Sequence, residues 1–166
     1  GTQRLADGSK IMGAIKGRDA IYVWTDTALF LMQFVGQPFT FSFQQVGTNC
    51  GLFGKNACIE VDGSSYWMSE NGFFTYDGQL KSMPCLVEDY VYDSINDTSR
   101  DLINCGLNNL FGEINWSYCS GASDVVDRVV TYNYLDSSAE RPIWTTARMN
   151  TVSGKKVGVP RTAWQD

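Results

Sequence analysis

Short apolar runs separated by turn-forming residues set the pattern of this chain. In "IMGAIKGRDAIYVWTDTALFLMQFVG", residues 11–36, they read as a strand, a turn at Gly17-Arg18-Asp19, a second strand, a turn at Asp26-Thr27 and a third strand. Gly36-Gln37-Pro38 then turns the chain into "FTFSFQQV", where Phe39, Phe41 and Phe43 alternate on one side, as in a half-buried outer strand. "GTNCGLFGKN", residues 47–56, carries three glycines and two asparagines and reads as a loop. Beyond it, turn chemistry recurs at Asp62-Gly63, Glu70-Asn71-Gly72 and Asp77-Gly78, so residues 57–83 form short antiparallel strands in a meander. The β pattern breaks over "LVEDYVYDSINDTSRDLIN", residues 86–104. There Leu86, Val87, Tyr90 and Val91 fall at helical spacing, and Asn96 to Ser99 supplies an N-cap before "RDLIN". Two short helical turns are expected. "NLFGEINWSYC" and "DRVVTYNYL" then make a hairpin with a polar tip at Ser120 to Asp124, and "RPIWTTARM" is the next strand. "VSGKKVGVP" reads as a Gly-rich loop and "RTAW" as the opening of a further strand.

The pattern repeats. "YVWTDTALFLM", Tyr22 to Met32, precedes "YWMSENGFFTY" at an offset of 43 residues, which sets Trp24 on Trp67, Phe30 on Phe73 and Ala14 on Ala57. In a looser third copy "RVVTYNY" follows "GFFTYDG": Thr131-Tyr132 matches Thr75-Tyr76, and Trp116 takes the place of Trp67. A period near this length is that of one four-stranded propeller blade. The expected fold is therefore all-β, a partial β-propeller of about three blades at roughly 11–46, 57–83 and 105–148, with a short helical insert near 86–104, in a single domain over 1–166. Closed propellers have about four to eight blades. Three leave strand edges and apolar faces uncovered. The chain is thus expected to be part of a longer protein or to complete its interfaces with other chains.

Composition supports a folded chain: of 166 residues, 43% are hydrophobic and 19% charged. The longest apolar run, "ALFLMQFV", is strand-sized and falls short of the ~18–20 residues of a membrane span. No charged and apolar leader opens the sequence, so no signal peptide is expected. A net charge of −5 argues against a nucleic-acid surface, and Lys155-Lys156 with Arg161 read as a solvated loop. The five cysteines, Cys50, Cys58, Cys85, Cys105 and Cys119, are odd in number and spaced for neither zinc nor a redox pair, so reduced, buried thiols are expected. Asn96-Asp-Thr and Asn115-Trp-Ser match the glycan acceptor pattern but carry little weight without a secretory context.

Without a histidine, Ser-His-Asp and Cys-His catalysis and His-based zinc sites are excluded. Glu88, Asp89, Asp93, Asp97 and Asp101 leave a two-carboxylate glycosidase formally open. A solvated helix face with acids near its N-terminus accounts for them better. "GLFGKN" lacks the spacing and hydroxyl of a phosphate loop, and "DGSSYWMSENG" lacks the acids of a calcium loop. Trp24, Trp67, Trp116 and Trp144 could offer aromatic platforms to a sugar, but their recurrence inside strands points to packing between blades. No catalytic, cofactor-binding or metal residue is expected, and no cofactor.

The runs "VWTDTALF", "NCGLFGKNA", "VDGSSYWMSENGFFTYDG", "PCLVEDYVY" and the closing "YNYLD" and "RTAWQD" resemble, in this order, the propeller region of tail proteins of tailed bacteriophages, of the nozzle or tail tubular type. The resemblance implies a non-enzymatic virion component, assembled in the host cytoplasm into a ring through contacts with its own copies and other tail proteins. It implies no membrane and no sequence-specific nucleic acid. Members of this group are much longer, so the chain is expected to be a piece lacking further blades. The alternative is a carbohydrate-binding or glycoside-active propeller for host-surface recognition. A cellular interaction propeller of the WD-repeat kind ranks last, because the Trp-Asp and Gly-His signatures are missing.

Overall fold

The computed structural model describes Leu5, Asp7, Gly8 and residues 10–38, 40–121 and 123–149, together with the backbone of 151–152 and 155–156. Phe39, Arg161 and the "RTAW" segment lie outside the described residues. The chain divides into two compact units, Gly1–Ser82 and Met83–Asp166.

The first unit holds two four-stranded antiparallel sheets in simple up-and-down order. Sheet one consists of β1 (Ile11–Lys16), β2 (Ile21–Thr25), β3 (Ala28–Phe34) and β4 (Phe41–Thr48). Sheet two consists of β5 (Cys58–Val61), β6 (Ser64–Ser69), β7 (Gly72–Tyr76) and β8 (Leu80–Met83), whose last residue falls just past the unit boundary. The turns lie where turn chemistry places them. Asp62 and Gly63 both take positive φ (50° and 83°), as the Asp-Gly of a two-residue hairpin of type I′ does.

The second unit opens with one turn of helix, α1 (Glu88–Tyr92), and a 3₁₀ segment, Asp97–Leu102, and continues into a third four-stranded antiparallel sheet. That sheet consists of β9 (Asn104–Asn108), β10 (Glu113–Tyr118), β11 (Arg128–Asn133) and β12 (Trp144–Arg148). A two-residue pair follows, β13 (Thr151–Val152) with β14 (Lys155–Lys156), where a loop was expected. The all-β reading holds, with three four-stranded antiparallel sheets among the described residues.

Trp24, Trp67 and Trp116 are each the fourth residue of the second strand of their sheet, and all three are fully buried. Directly opposite on the first strands stand small residues, Gly13, Cys58 and Cys105. The offset of 43 residues fits the tryptophans but slips by two on either side. Phe30 lies opposite Val23, the residue before Trp24, whereas Phe73 lies opposite Met68, the residue after Trp67. Ala14 likewise pairs with Val23, while Ala57 accepts from the Met68 N–H at 3.0 Å. Side chains alternate with a period of two, so a slip of two keeps every one on its face. In the third sheet the match is positional: Val130-Thr131-Tyr132 begins at the cross-strand partner of Trp116 as Phe74-Thr75-Tyr76 begins at that of Trp67.

Several expectations need correction. The loop expected at residues 47–56 is there, joining β4 to β5, but residues 50–54 of it are buried. Cys50 and Leu52 donate to the carbonyls of Thr27 and Thr25 (3.1 and 3.0 Å), and Phe53 donates to Met68 (3.0 Å), so the connector is stitched to both sheets. Gly51 allows this. A Cβ there would sit 2.1 Å from the Asp26 carbonyl oxygen. In the insert only Val91 of the expected helical face is buried, while Leu86 and Tyr90 are exposed, because five residues of helix are too short to lay down a stripe. Asn96 caps the 3₁₀ segment as expected, accepting from the Thr98 N–H at 3.0 Å. β9 was not anticipated as a strand, and "NLFG" before β10 is a turn. The polar tip at Ser120 to Asp124 contains buried Ser120 and Ser123; the Asp127 carboxylate accepts from both the N–H and the hydroxyl of Ser120 at 2.7 Å.

Candidate functional site

The strand tryptophans are part of the packing. In the first unit the Trp24 and Trp67 rings meet edge to face, 5.3 Å between centroids, and the Trp67 indole N–H donates to the Cys50 carbonyl at 2.8 Å. In the second, Trp116 stacks on Trp144 at 6.1 Å, and the Trp144 indole N–H donates to the Pro84 carbonyl at 2.8 Å. With all four buried, none offers a free ring face to a sugar. Asp89, Asp93, Asp97 and Asp101 are exposed and Glu88 is half-buried; Asp97 pairs with Arg100 at 3.3 Å. Among the described residues no three histidine, cysteine or carboxylate side chains come together as a metal site would need. No helix among them is long and apolar enough to cross a membrane.

All five cysteines are free. Burial pushes the Cys58 thiol up to about 12 and that of Cys85 to about 11, and it raises Cys50 as well. Such thiols stay protonated at neutral pH and are poor nucleophiles. Asn96 is engaged as a cap, and its amide also donates to the Ser123 carbonyl at 2.8 Å. Asn115 accepts from the Thr131 hydroxyl across the β10–β11 ladder. The side chains of Lys155, Lys156 and Arg161 lie outside the described residues.

Among the described residues, one face of sheet one ends in exposed apolar side chains. β2 and β3 are apolar on both sides, which marks a sheet covered on both faces. Through Tyr22 and Trp24 one face meets Tyr76 and Trp67 of sheet two. On the other face Val23, Ala28 and Phe30 form a buried cluster with Leu5, Met32 and Phe43. Among the described residues of the N-terminal segment, Asp7 and Gly8 lie against the Gln45 and Thr25 end of that face. Asp7 accepts from the Gln45 amide, and the backbone at Gly8 presses so close to Thr25 that a Cβ would lie 2.4 Å away. Toward the other end the same face runs on into the open. Ile21 is 38% exposed, Phe41 47% and Phe34 72%, with Phe34 and Phe41 paired across β3 and β4 at 5.9 Å between rings. An open groove of about 520 Å³ lies here, lined by Ala14, Ile21, Met32, Phe34 and Phe41 and rimmed by Lys16, Arg18 and Asp19.

Sequence reasoning placed Phe41 on a half-buried outer strand but did not single out this surface. The signal was present in "ALFLMQF", where Phe30, Met32 and Phe34 continue one face while Leu29 and Leu31 supply the other. The described residues form a protein of antiparallel β-sheets, three of them four-stranded. No protein-family model matches the sequence, and no curated protein matches it.

Proposed function

We propose that this chain is a propeller segment of a structural protein of the tailed-phage tail, acting through protein–protein assembly rather than catalysis. Its three sheets are then successive blades, and the virion is its place of work, with assembly in the host cytoplasm. The observation that carries this reading is the recurrence of a buried tryptophan at the same place in three consecutive up-and-down sheets, Trp24, Trp67 and Trp116. Repeats of this kind bury their faces by stacking on neighbours, so the fold serves to build surfaces for other sheets. The resemblance of the quoted runs to nozzle-type tail proteins supplies the virion setting. Partners are further copies of the chain and other tail proteins.

Gene neighbourhood and particle composition test the reading. Its gene is expected among portal, capsid and terminase genes, and its peptides in the mass spectrum of purified tailed particles. A gene set without virion components, together with particles lacking these peptides, overturns the proposal. Glycan arrays address the carbohydrate alternative: saturable binding to one glycan would replace an assembly role with host-surface recognition.

A further inference from the structure

We infer, resting on the assembly reading above, that sheet three is a terminal member of the array. One of its faces stacks on no further sheet, whether of this protein or of a second copy, and is kept for water. Assembly partners then meet the chain at other surfaces.

Residues directly opposite across strands share a face of the sheet, and faces alternate along each strand. One face of sheet three carries Cys105, Trp116 and Val130 in one row and Leu107, Ile114, Tyr132 and Trp144 in the next. Of these, Cys105, Ile114, Trp116, Val130 and Trp144 are buried. The other face carries Gly106, Asn115, Thr131 and Thr145 in one row and Asn104, Ser117, Val129 and Ala147 in the next. All of the latter are half-exposed on β9, β10 and β11 and exposed on β12. Sheets one and two differ. Sheet one buries Tyr22 and Trp24 on one face and Val23 and Phe30 on the other. Sheet two buries Ser65 and Trp67 on one face and Met68 and Phe73 on the other. In stacked repeats an inner member is apolar on both sides, whereas an end member is polar on its outer side. The polar side chains of sheet three also bond to one another. The Thr131 hydroxyl donates to Asn115 directly opposite, and the Asn108 amide donates to Glu113 directly opposite at 3.1 Å. A further sheet laid over them would take Asn104 and Ser117 out of water, and burying polar groups without partners is costly.

Thiol labelling of the full chain is the test, with Ser117→Cys and Thr145→Cys each treated with a charged maleimide at micromolar and at submillimolar chain. Both changes put a small thiol in place of a hydroxyl, so urea midpoints are expected to match the parent. The expected result is labelling at both positions and both concentrations, roughly tenfold or more faster than at Cys105, which is buried on the apolar face of the same sheet. Labelling held to the Cys105 rate at both concentrations overturns the inference, because part of the chain then covers the face. Protection that sets in only at the higher concentration overturns it too, because a second copy then covers the face. Failure of the assembly reading itself would be seen in gene neighbourhood and particle composition, whatever the labelling result.

Discussion

Trp24 and Trp67 are the residues on which the first unit depends. Each is sealed from solvent, and each touches the other. Truncating either to alanine removes a large apolar body from a packed interior and leaves a cavity, at a cost of roughly 3–5 kcal/mol. Trp67→Ala also strands the Cys50 carbonyl that its indole N–H satisfies, so its cost lies toward the top of that range. Urea denaturation of the two variants checks both the size and the order. Trp67→Phe keeps most of the volume and loses the hydrogen bond, and a loss of about 1–3 kcal/mol is expected from the unpaired carbonyl alone.

Among the elements, the connector from Cys50 to Phe53 sets the tightest constraint on sequence. A methyl group at Gly51 would meet backbone atoms, the carbonyl oxygen and carbon of Asp26 at 2.1 and 2.2 Å, and backbone cannot swing away as a side chain can. Gly51→Ala is expected to cost roughly 2–4 kcal/mol, as overpacking a rigid site does. Gly36→Ala, at a positive φ of 82° but with nothing within 4 Å, is expected to cost only the ~1–2 kcal/mol of the left-handed backbone. Thermal unfolding of the pair separates steric from conformational effects. The connector also shows where sequence reading stops. The eight strands of the first two sheets are legible because apolar runs end at Asp-Gly, Asn-Gly and similar turn residues. Glycines at 47, 51 and 54 mark a loop equally well whether it lies in solvent or is pressed between sheets, so its burial left no local trace. β9, "NCGLN", has no β-branched or aromatic residue and is a strand because β10 pairs with it. The apolar face at Phe34 and Phe41 was visible only as residues, since a side chain's exposure at the end of a strand is set by tertiary packing that local pattern does not encode.

For the whole molecule, buried ionisable groups fix the response to alkali. Burial raises the Cys50, Cys58 and Cys85 thiols, and it raises the Tyr22 and Tyr118 phenols, Tyr22 further by Tyr76 beside it. In each case the folded chain holds its proton to higher pH than the unfolded chain. Stability is therefore full below pH 9.0, the ordinary thiol value, and falls as pH rises toward about 11 for Cys85 and about 12 for Cys58. Urea midpoints are expected to be flat with respect to these groups up to the ordinary thiol value and to decline above it. The decline is shallower in Cys58→Ala and Cys85→Ala, which remove two of the titrating groups. A parent and variants with parallel alkaline limbs would show that other groups govern it.

The stitched connector has one more consequence, for proteases. "GTNCGLFGKN" has the composition of a surface tether, and chymotrypsin has two preferred residues in it, Leu52 and Phe53. Both are buried, and the amides of Cys50, Leu52 and Phe53 are held by neighbouring strands. A protease must draw a stretch of chain out into its cleft, and this stretch cannot leave without opening the fold. Phe34, Leu110 and Phe111, on exposed hairpin ends, are expected to be cut first, with Leu52 and Phe53 surviving until the first unit unfolds. Read through its digestion map, the most linker-like segment of the chain is among the parts it releases last.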